Sequence, residues 1–289
     1  MPLRLLSRMG GCVCRAMILC IPLIGGLAVP GAASAQEAGA ETSRIVNPFD
    51  TEYLLNYPRV AGQALRQPFR TDREGLTQNA LALAGIGLAF ALDESVQRSW
   101  QNDLRSNGSD DVSEPFYEMG VVQNMAIGTG SAYLVGAVSG NRRLQSTALL
   151  AAQSLLITAA TVEGIKWVGG RRRPGDGDDA WDWGGPGSLR NSSFVSGHAA
   201  AAFAAASVVA EQYRDTPVVP IVSYGLATGV ALSRINDDGH FLSDVVGGAL
   251  VGYGIGRLTT GMSPFDNDNV SLNAYHSGDE VGVQLSVRY

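Results

Sequence analysis

Residues 196–210 read SGHAAAAFAAASVVA. From Ala199 to Ala210 there is no charge, glycine or proline, and alanine is the strongest helix former, so this run predicts a helix buried on most sides. Runs of the same kind, uncharged and rich in Ala, Gly, Leu and Val, occupy 75–92, 119–141, 144–162, 216–233 and 245–256. Charged or Gly/Pro-rich joints separate them, and the expectation is an all-α, up-and-down bundle of about six core helices.

The period changes at the C-terminus. Val281, Val283, Leu285, Val287 and Tyr289 alternate with Gly282, Gln284, Ser286 and Arg288, and Val270, Leu272 and Ala274 precede a Ser277-Gly278-Asp279 turn, which predicts a β-hairpin over 263–289. Two strands cannot close a barrel in lipid, so a soluble appendage is expected. At the other end, Arg4, Arg8 and Arg15 flank or precede the apolar stretch 16–29, and Ala33-Ser34-Ala35 follows, the order of a secretory signal cleaved after residue 35. The competing reading is an uncleaved anchor. Residues 36–74, with Pro48, Pro58 and Pro68, read as an irregular arm, leaving 75–262 as the helical domain.

Cys12, Cys14 and Cys20 all lie in the signal segment, so a mature chain would have no thiol for disulfides, nucleophiles or metal sites. Cleavage removes three arginines and no acid, taking the formal net charge from −6 to −9. An acidic body argues against nucleic acid as a general partner.

Three motifs carry chemistry. Lys166 is separated by six residues from Arg173-Pro174; Ser196-Gly197-His198 opens the alanine run; Ser233-Arg234 is followed by His240 and then Asp244. Lys166, Arg173 and Arg234 are natural ligands for phosphate oxygens, the arginines as bidentate forks and the lysine as a compact charge. Ser196 and Gly197 would place backbone N–H groups at a helix N-terminus, where phosphate binds, and Gly197 lets an oxyanion approach the chain. His240 and Asp244 are four residues apart, on one helical face, so the carboxylate can orient an imidazole whose other nitrogen attacks phosphorus. His198 is placed to protonate the leaving group.

Each piece alone has a plainer reading: a solvated lysine at a helix end, a histidine at a cap, a surface His/Asp pair. Their convergence is tested by topology, because in an up-and-down bundle consecutive loops alternate between the two ends. Lys166, His198, Arg234 and His240 then fall at one end, and the joints 141–143 and 211–215 at the other. Arg171 and Arg172 read as solvated charges or outer phosphate contacts, and Asp93, Glu94, Asp176 to Asp179, Asp237 and Asp238 as solvated acids without a metal-binding pattern. Trp181 and Trp183 read as packing against the Gly-rich loop or as lining substrate entry.

These motifs resemble those of the type-2 phosphatidic acid phosphatase and vanadium haloperoxidase superfamily, with matches at Lys166, Arg173, Pro174, Ser196, Gly197, His198, Ser233, Arg234, His240 and Asp244. Val195 departs from it, standing where the second motif usually has proline. The resemblance implies a helical bundle and a phosphatase with no metal and no cofactor. In it His240 becomes phosphorylated, Asp244 orients it, His198 handles the leaving-group proton, and Lys166, Arg173, Arg234, Ser196 and the Gly197 amide bind the phosphoryl oxygens. The implied substrate is a phosphate monoester or diphosphate, lipid-linked, in the periplasm or cell envelope. A vanadate-dependent haloperoxidase and a non-enzymatic envelope scaffold are the alternatives. Mean hydropathy is only +0.06, and polar residues dilute the runs, which favours a soluble bundle or one in peripheral contact with a membrane over a lipid-embedded one.

Overall fold

A computed structural model describes residues 46–176, 179–187, 192–265, 270–277 and 280–287. The expected signal segment 1–35 lies outside the described residues. Eight α-helices are described: α1 Thr51–Arg66, α2 Arg73–Ser99, α3 Asn107–Gly120, α4 Val122–Ser139, α5 Arg142–Gly169, α6 Gly197–Gln212, α7 Val218–Asn236 and α8 Leu242–Gly261. The six uncharged runs lie in α2 and α4 to α8, and the described bundle is helical as expected. Local chemistry sets several boundaries. Asp50, Asp72, Asn141 and Ser196 accept N-terminal backbone N–H groups at α1, α2, α5 and α6, and Gly140 and Gly170 close α4 and α5 in the left-handed conformation.

The alanine helix α6 sits centrally, packed against α5, α7 and α8. Its approach to α8 is closest because both surfaces are nearly bare backbone. A methyl group on Gly248 would lie 2.4 Å from the Ser196 carbonyl oxygen, one on Gly252 2.0 Å from that of Ala200, and one on Gly256 2.7 Å from that of Ala204. Small residues four apart thus let two helices touch along their length, a device common where helices meet closely.

The two ends of the bundle separate as the alternating topology requires. Arg143 at the start of α5 donates from Nε to the Gln212 carbonyl oxygen at 2.8 Å and pairs with Asp215, so the 141–143 and 211–215 joints meet. At the opposite end α2 continues into a π-turn, Trp100–Leu104, where Trp100 donates to Asn236 Oδ1 at 3.2 Å and Gln101 to the Ile235 carbonyl oxygen at 2.8 Å.

Two expectations are corrected in chain order. The arm is not irregular throughout: α1 forms despite Pro58, because Tyr53, Asn56 and Val60 are buried along one face, Val60 packs with Ile157 and Ile255, and the Tyr53 hydroxyl donates to the Leu149 carbonyl oxygen at 2.9 Å. The polar segment before α4 is also helical. There α3 begins at a Ser106/Ser109 capping box and turns Ser113, Phe116, Tyr117 and Gly120 toward the bundle, with Phe116 seated on Gly229.

A third correction concerns the apolar runs. Helix-to-helix burial does not account for all of them: three segments, Arg73–Leu104, Arg142–Gly169 and Val218–Asn236, are long and apolar enough to cross a membrane, and only 11% of the most apolar window of the first is buried. Leu76, Leu81, Leu83 and Leu88 on α2, and Val218 and Ile221 on α7, are exposed. Outward leucines in that number leave an apolar surface on α2 that the described residues do not cover, which overall hydropathy averages away. The C-terminal hairpin is not supported as part of this fold. Val270–Ser277 and Glu280–Val287 pair with each other in a two-stranded sheet, a marginal arrangement on its own, and the Gly278-Asp279 turn is outside the described residues.

Candidate active site

The site lies where α5 ends, α6 and α8 begin, and α7 gives way to the 237–241 turn. Two loops are stitched together there. Arg173 Nη1 donates to the Gly239 carbonyl oxygen at 3.1 Å, and Gly175 N–H donates to that of Asp238 at 3.0 Å. A methyl group on Gly239 would lie 2.4 Å from Arg234 Nη2, so a side chain there would displace that guanidinium. Across the site the Ser196 N–H donates to the Asp244 carbonyl oxygen at 2.9 Å, joining the N-terminus of α6 to the first turn of α8.

His240 is buried, with Nδ1 3.6 Å from Asp244 Oδ2. That is slightly beyond hydrogen-bond reach, a looseness common in ligand-free sites, and it leaves Nε2 as the nitrogen turned away from the carboxylate. Asp244 is itself fully buried: Oδ2 accepts the Phe241 N–H at 2.9 Å and Oδ1 accepts from Arg171 at 2.7 Å. His198, half-buried, stacks on Tyr117 with ring centroids 5.1 Å apart, and its Nε2 is buried without a hydrogen-bond partner among the described residues. Arg234 is buried between the Tyr117 ring, 4.7 Å below its guanidinium carbon, and Asp237, 2.8 Å from Nη1, while its Nε has no hydrogen-bond partner among the described residues.

The cations close around the histidines. Burial first, then Arg234, His240, Lys166 and Arg173, push His198 down to about 3. Burial likewise pushes His240 down to about 4, with Asp244 opposing and Arg173 and Arg234 adding to the shift. Both rings are therefore neutral at neutral pH without a bound anion. A neutral His240 is what a nucleophile requires. His198 needs a proton to serve as an acid, and a phosphate dianion among the same cations would remove much of the repulsion that keeps the proton off.

At Gly197 neither backbone nor packing demands glycine. Its φ is not in the left-handed region, and a methyl group would meet Val162 at 3.8 Å and Lys166 Nζ at 4.0 Å, ordinary contacts. The missing side chain leaves room directly beside the lysine. Val195 is buried against Val162 and Ala200 and adds no polar group to the site.

All eight residues expected at the site are thus at one end of the bundle, drawn from α5, the loop after it, the start of α6, α7, the 237–241 turn and α8. Arg171, read as solvated or an outer contact, is instead fully buried and paired with Asp244 and Asp93. Asp93, read as a solvated acid, is buried on α2. Tyr117 carried no signal because α3 is polar and contains Gly108 and Pro115; only the helical spacing of 113, 116, 117 and 120 could have found it. Trp181 stacks on Phe90 at 5.8 Å yet stays 61% exposed, whereas Trp183 packs edge-on to Phe194. Among the described residues no three His, Cys, Asp or Glu side chains gather as a metal site.

Three cations and two histidines gathered at one end of a helical bundle form a positively charged pocket whose chemistry suits a tetrahedral oxyanion. Residues 147–268 match the PAP2 superfamily. The lipid A 1-phosphatase of Porphyromonas gingivalis is 32% identical over 130 residues, covering 45% of this chain; the match spans 26% of that relative's length. Among solved structures, the transmembrane PAP2 type phosphatidylglycerolphosphate phosphatase from Bacillus subtilis is similar at 17% identity over 72% of this chain and 92% of that one, with a TM-score of 0.41.

Proposed function

We propose that this protein is a membrane-associated phosphatase that hydrolyses lipid-linked phosphate monoesters or diphosphates through a phosphohistidine at His240. The observation that carries the reading is the convergence of Lys166, Arg173 and Arg234 on two buried or half-buried histidines, with His198 Nε2 and Arg234 Nε lacking hydrogen-bond partners among the described residues. Buried donors of this kind are satisfied in nearly all proteins, and phosphate oxygens would satisfy them here. The apolar outer faces of α2, α5 and α7 and the lipid substrate named for the Porphyromonas relative favour a lipid substrate. Export by the N-terminal segment and a hairpin appendage at 263–289 complete the proposal.

In the first step the His240 Nε2 lone pair forms a bond to phosphorus as the bond to the leaving oxygen breaks, and His198 donates its proton to that oxygen. In the second, water attacks phosphorus, its proton passes to His198, and the P–N bond breaks to release inorganic phosphate. Lys166, Arg173, Arg234, Ser196 and the Gly197 N–H hold the three equatorial oxygens, whose charge must be matched in the transition state. No step needs a metal, so activity is expected to persist in EDTA; loss on chelation with recovery on adding a divalent cation would count against the scheme.

Purified protein in mixed micelles, offered soluble phosphomonoesters, phosphatidates, polyprenyl diphosphates and lipid A, tests the assignment. Phosphate release is expected from at least one lipid class, and none from any substrate would refute it. The acid limb of log kcat/KM is expected near pH 4, far below the ordinary histidine value of 6.5, because free His240 must be neutral to attack. A limb at or above 6.5 would show that the cations do not act on this ring.

A further inference from the structure

We propose that Arg171 and Asp93 are positioning residues for His240, acting through Asp244; this rests on His240 being the nucleophile. Arg171 lies inside the protein with no exposed surface, where an unpaired guanidinium would be strongly unfavourable. Its Nη1 donates to Asp244 Oδ1 at 2.7 Å and to Ser243 Oγ at 2.7 Å, and its Nη2 donates to Asp93 Oδ2 at 2.7 Å. Asp93 in turn accepts the Ser243 N–H at 2.8 Å and the Ser243 hydroxyl at 2.6 Å. The Phe90 and Phe241 rings, 4.9 and 4.3 Å from the guanidinium carbon, exclude water from the pair.

Every donor and acceptor in this cluster is committed, and the commitment ends at the nucleophile. With Oδ1 held by Arg171 and Oδ2 by the Phe241 N–H, Asp244 can neither rotate nor retreat, and Oδ2 is the oxygen that faces His240. The cluster also sets charge. Arg171 draws down the negative charge that Asp244 presents to the imidazole, and Asp93 partly offsets Arg171. The other charged or titratable groups facing this ring are Arg234 on α7, Arg173 in the loop after α5 and His198 on α6, with Lys166 on α5 beside His198.

Opposite charge changes should therefore move the rate profile in opposite directions. Asp93→Asn leaves Arg171 more strongly positive beside Asp244, disfavours imidazolium and moves the acid limb of log kcat/KM down. Arg171→Gln leaves Asp244 beside the ring, and Asp93 behind it, without their shared cation and moves it up, each by about one pH unit. In both, kcat should fall about tenfold to a hundredfold, as for outer partners of functional histidines elsewhere, with KM little changed. The double variant removes one charge of each sign, so its limb should return toward that of the wild type while kcat stays low.

Ser243→Ala removes the bridging hydroxyl without altering charge. It should lower kcat modestly and leave the limb in place, and it serves with Arg171→Lys if the charge-removing variants do not fold. Folded variants with unchanged kcat and an unmoved limb overturn the proposal, as does a loss of activity that merely follows the fraction of protein unfolded. Wild-type protein that releases no phosphate overturns the phosphatase reading and this proposal with it; an active wild type with unaffected variants overturns this proposal alone.

Discussion

His240→Asn is expected to reduce phosphate release by about 10⁴-fold or more, the scale seen when a covalent nucleophile is removed. Asparagine keeps an amide donor near the position of Nδ1, where it can still face Asp244 Oδ2, and places no nucleophilic nitrogen where Nε2 stood. The side chain is 2% exposed and beside a fully buried carboxylate, so a volume-deleting alanine would confuse chemistry with stability. Rates are to be compared with thermal unfolding of the same preparations. A variant that unfolds with the wild type and retains a tenth of its rate would remove His240 from the nucleophile's role.

The second large effect is on folding. Gly252→Ala puts a methyl group 2.0 Å from the Ala200 carbonyl oxygen. The obstruction is backbone, which cannot swing aside, so α6 and α8 must separate, at a cost of about 3 kcal/mol or more, at or beyond the upper end for overpacking. Because Ser196 and His198 ride on the start of α6 and Asp244 on that of α8, activity should fall along with the unfolding temperature. Gly254 supplies the control on the same helix: an added methyl group meets nothing within 4 Å, and Gly254→Ala should be neutral or stabilising by up to about 1 kcal/mol through helix propensity. Equal loss at both positions would mean that the contact between α6 and α8 is not what glycine serves here.

The contrast between these glycines also explains what was legible in the sequence. Gly248, Gly252 and Gly256 read only as members of an uncharged run; that they face the carbonyls of α6 depends on helix rotation, which an apolar pattern on all sides does not encode. The helices α2 and α4 to α8 were readable because each carries an uninterrupted uncharged stretch. Helix α1 was hidden by Pro58, and α3 by a buried face in which Ser113 and Gly120 stand where apolar residues would have signalled it. The exposed apolar face of α2 was not legible because hydropathy averages over the chain, whereas its leucines are concentrated on one helix.

At the site, residues in short, fixed spacings were found and those joined only by the fold were not. His240 and Asp244 are four residues apart, so their pairing can be read from spacing, although His240 precedes α8 instead of sharing a helical face with Asp244. Asp93 and Arg171 are separated by 78 residues, and nothing in an RRR run distinguishes the buried arginine from its neighbours. A charge run on the surface and a charge in the core have the same letters; burial separates them, and burial is a property of the assembled bundle.

The stereochemical course at phosphorus tests the central claim most directly, using a lipid phosphate monoester made chiral with oxygen isotopes and sulfur. Transfer first to His240 and then to water comprises two in-line displacements, each inverting phosphorus, so the released thiophosphate is expected to show net retention. Net inversion would mean that water attacks the substrate directly, and His240 would then have no covalent role.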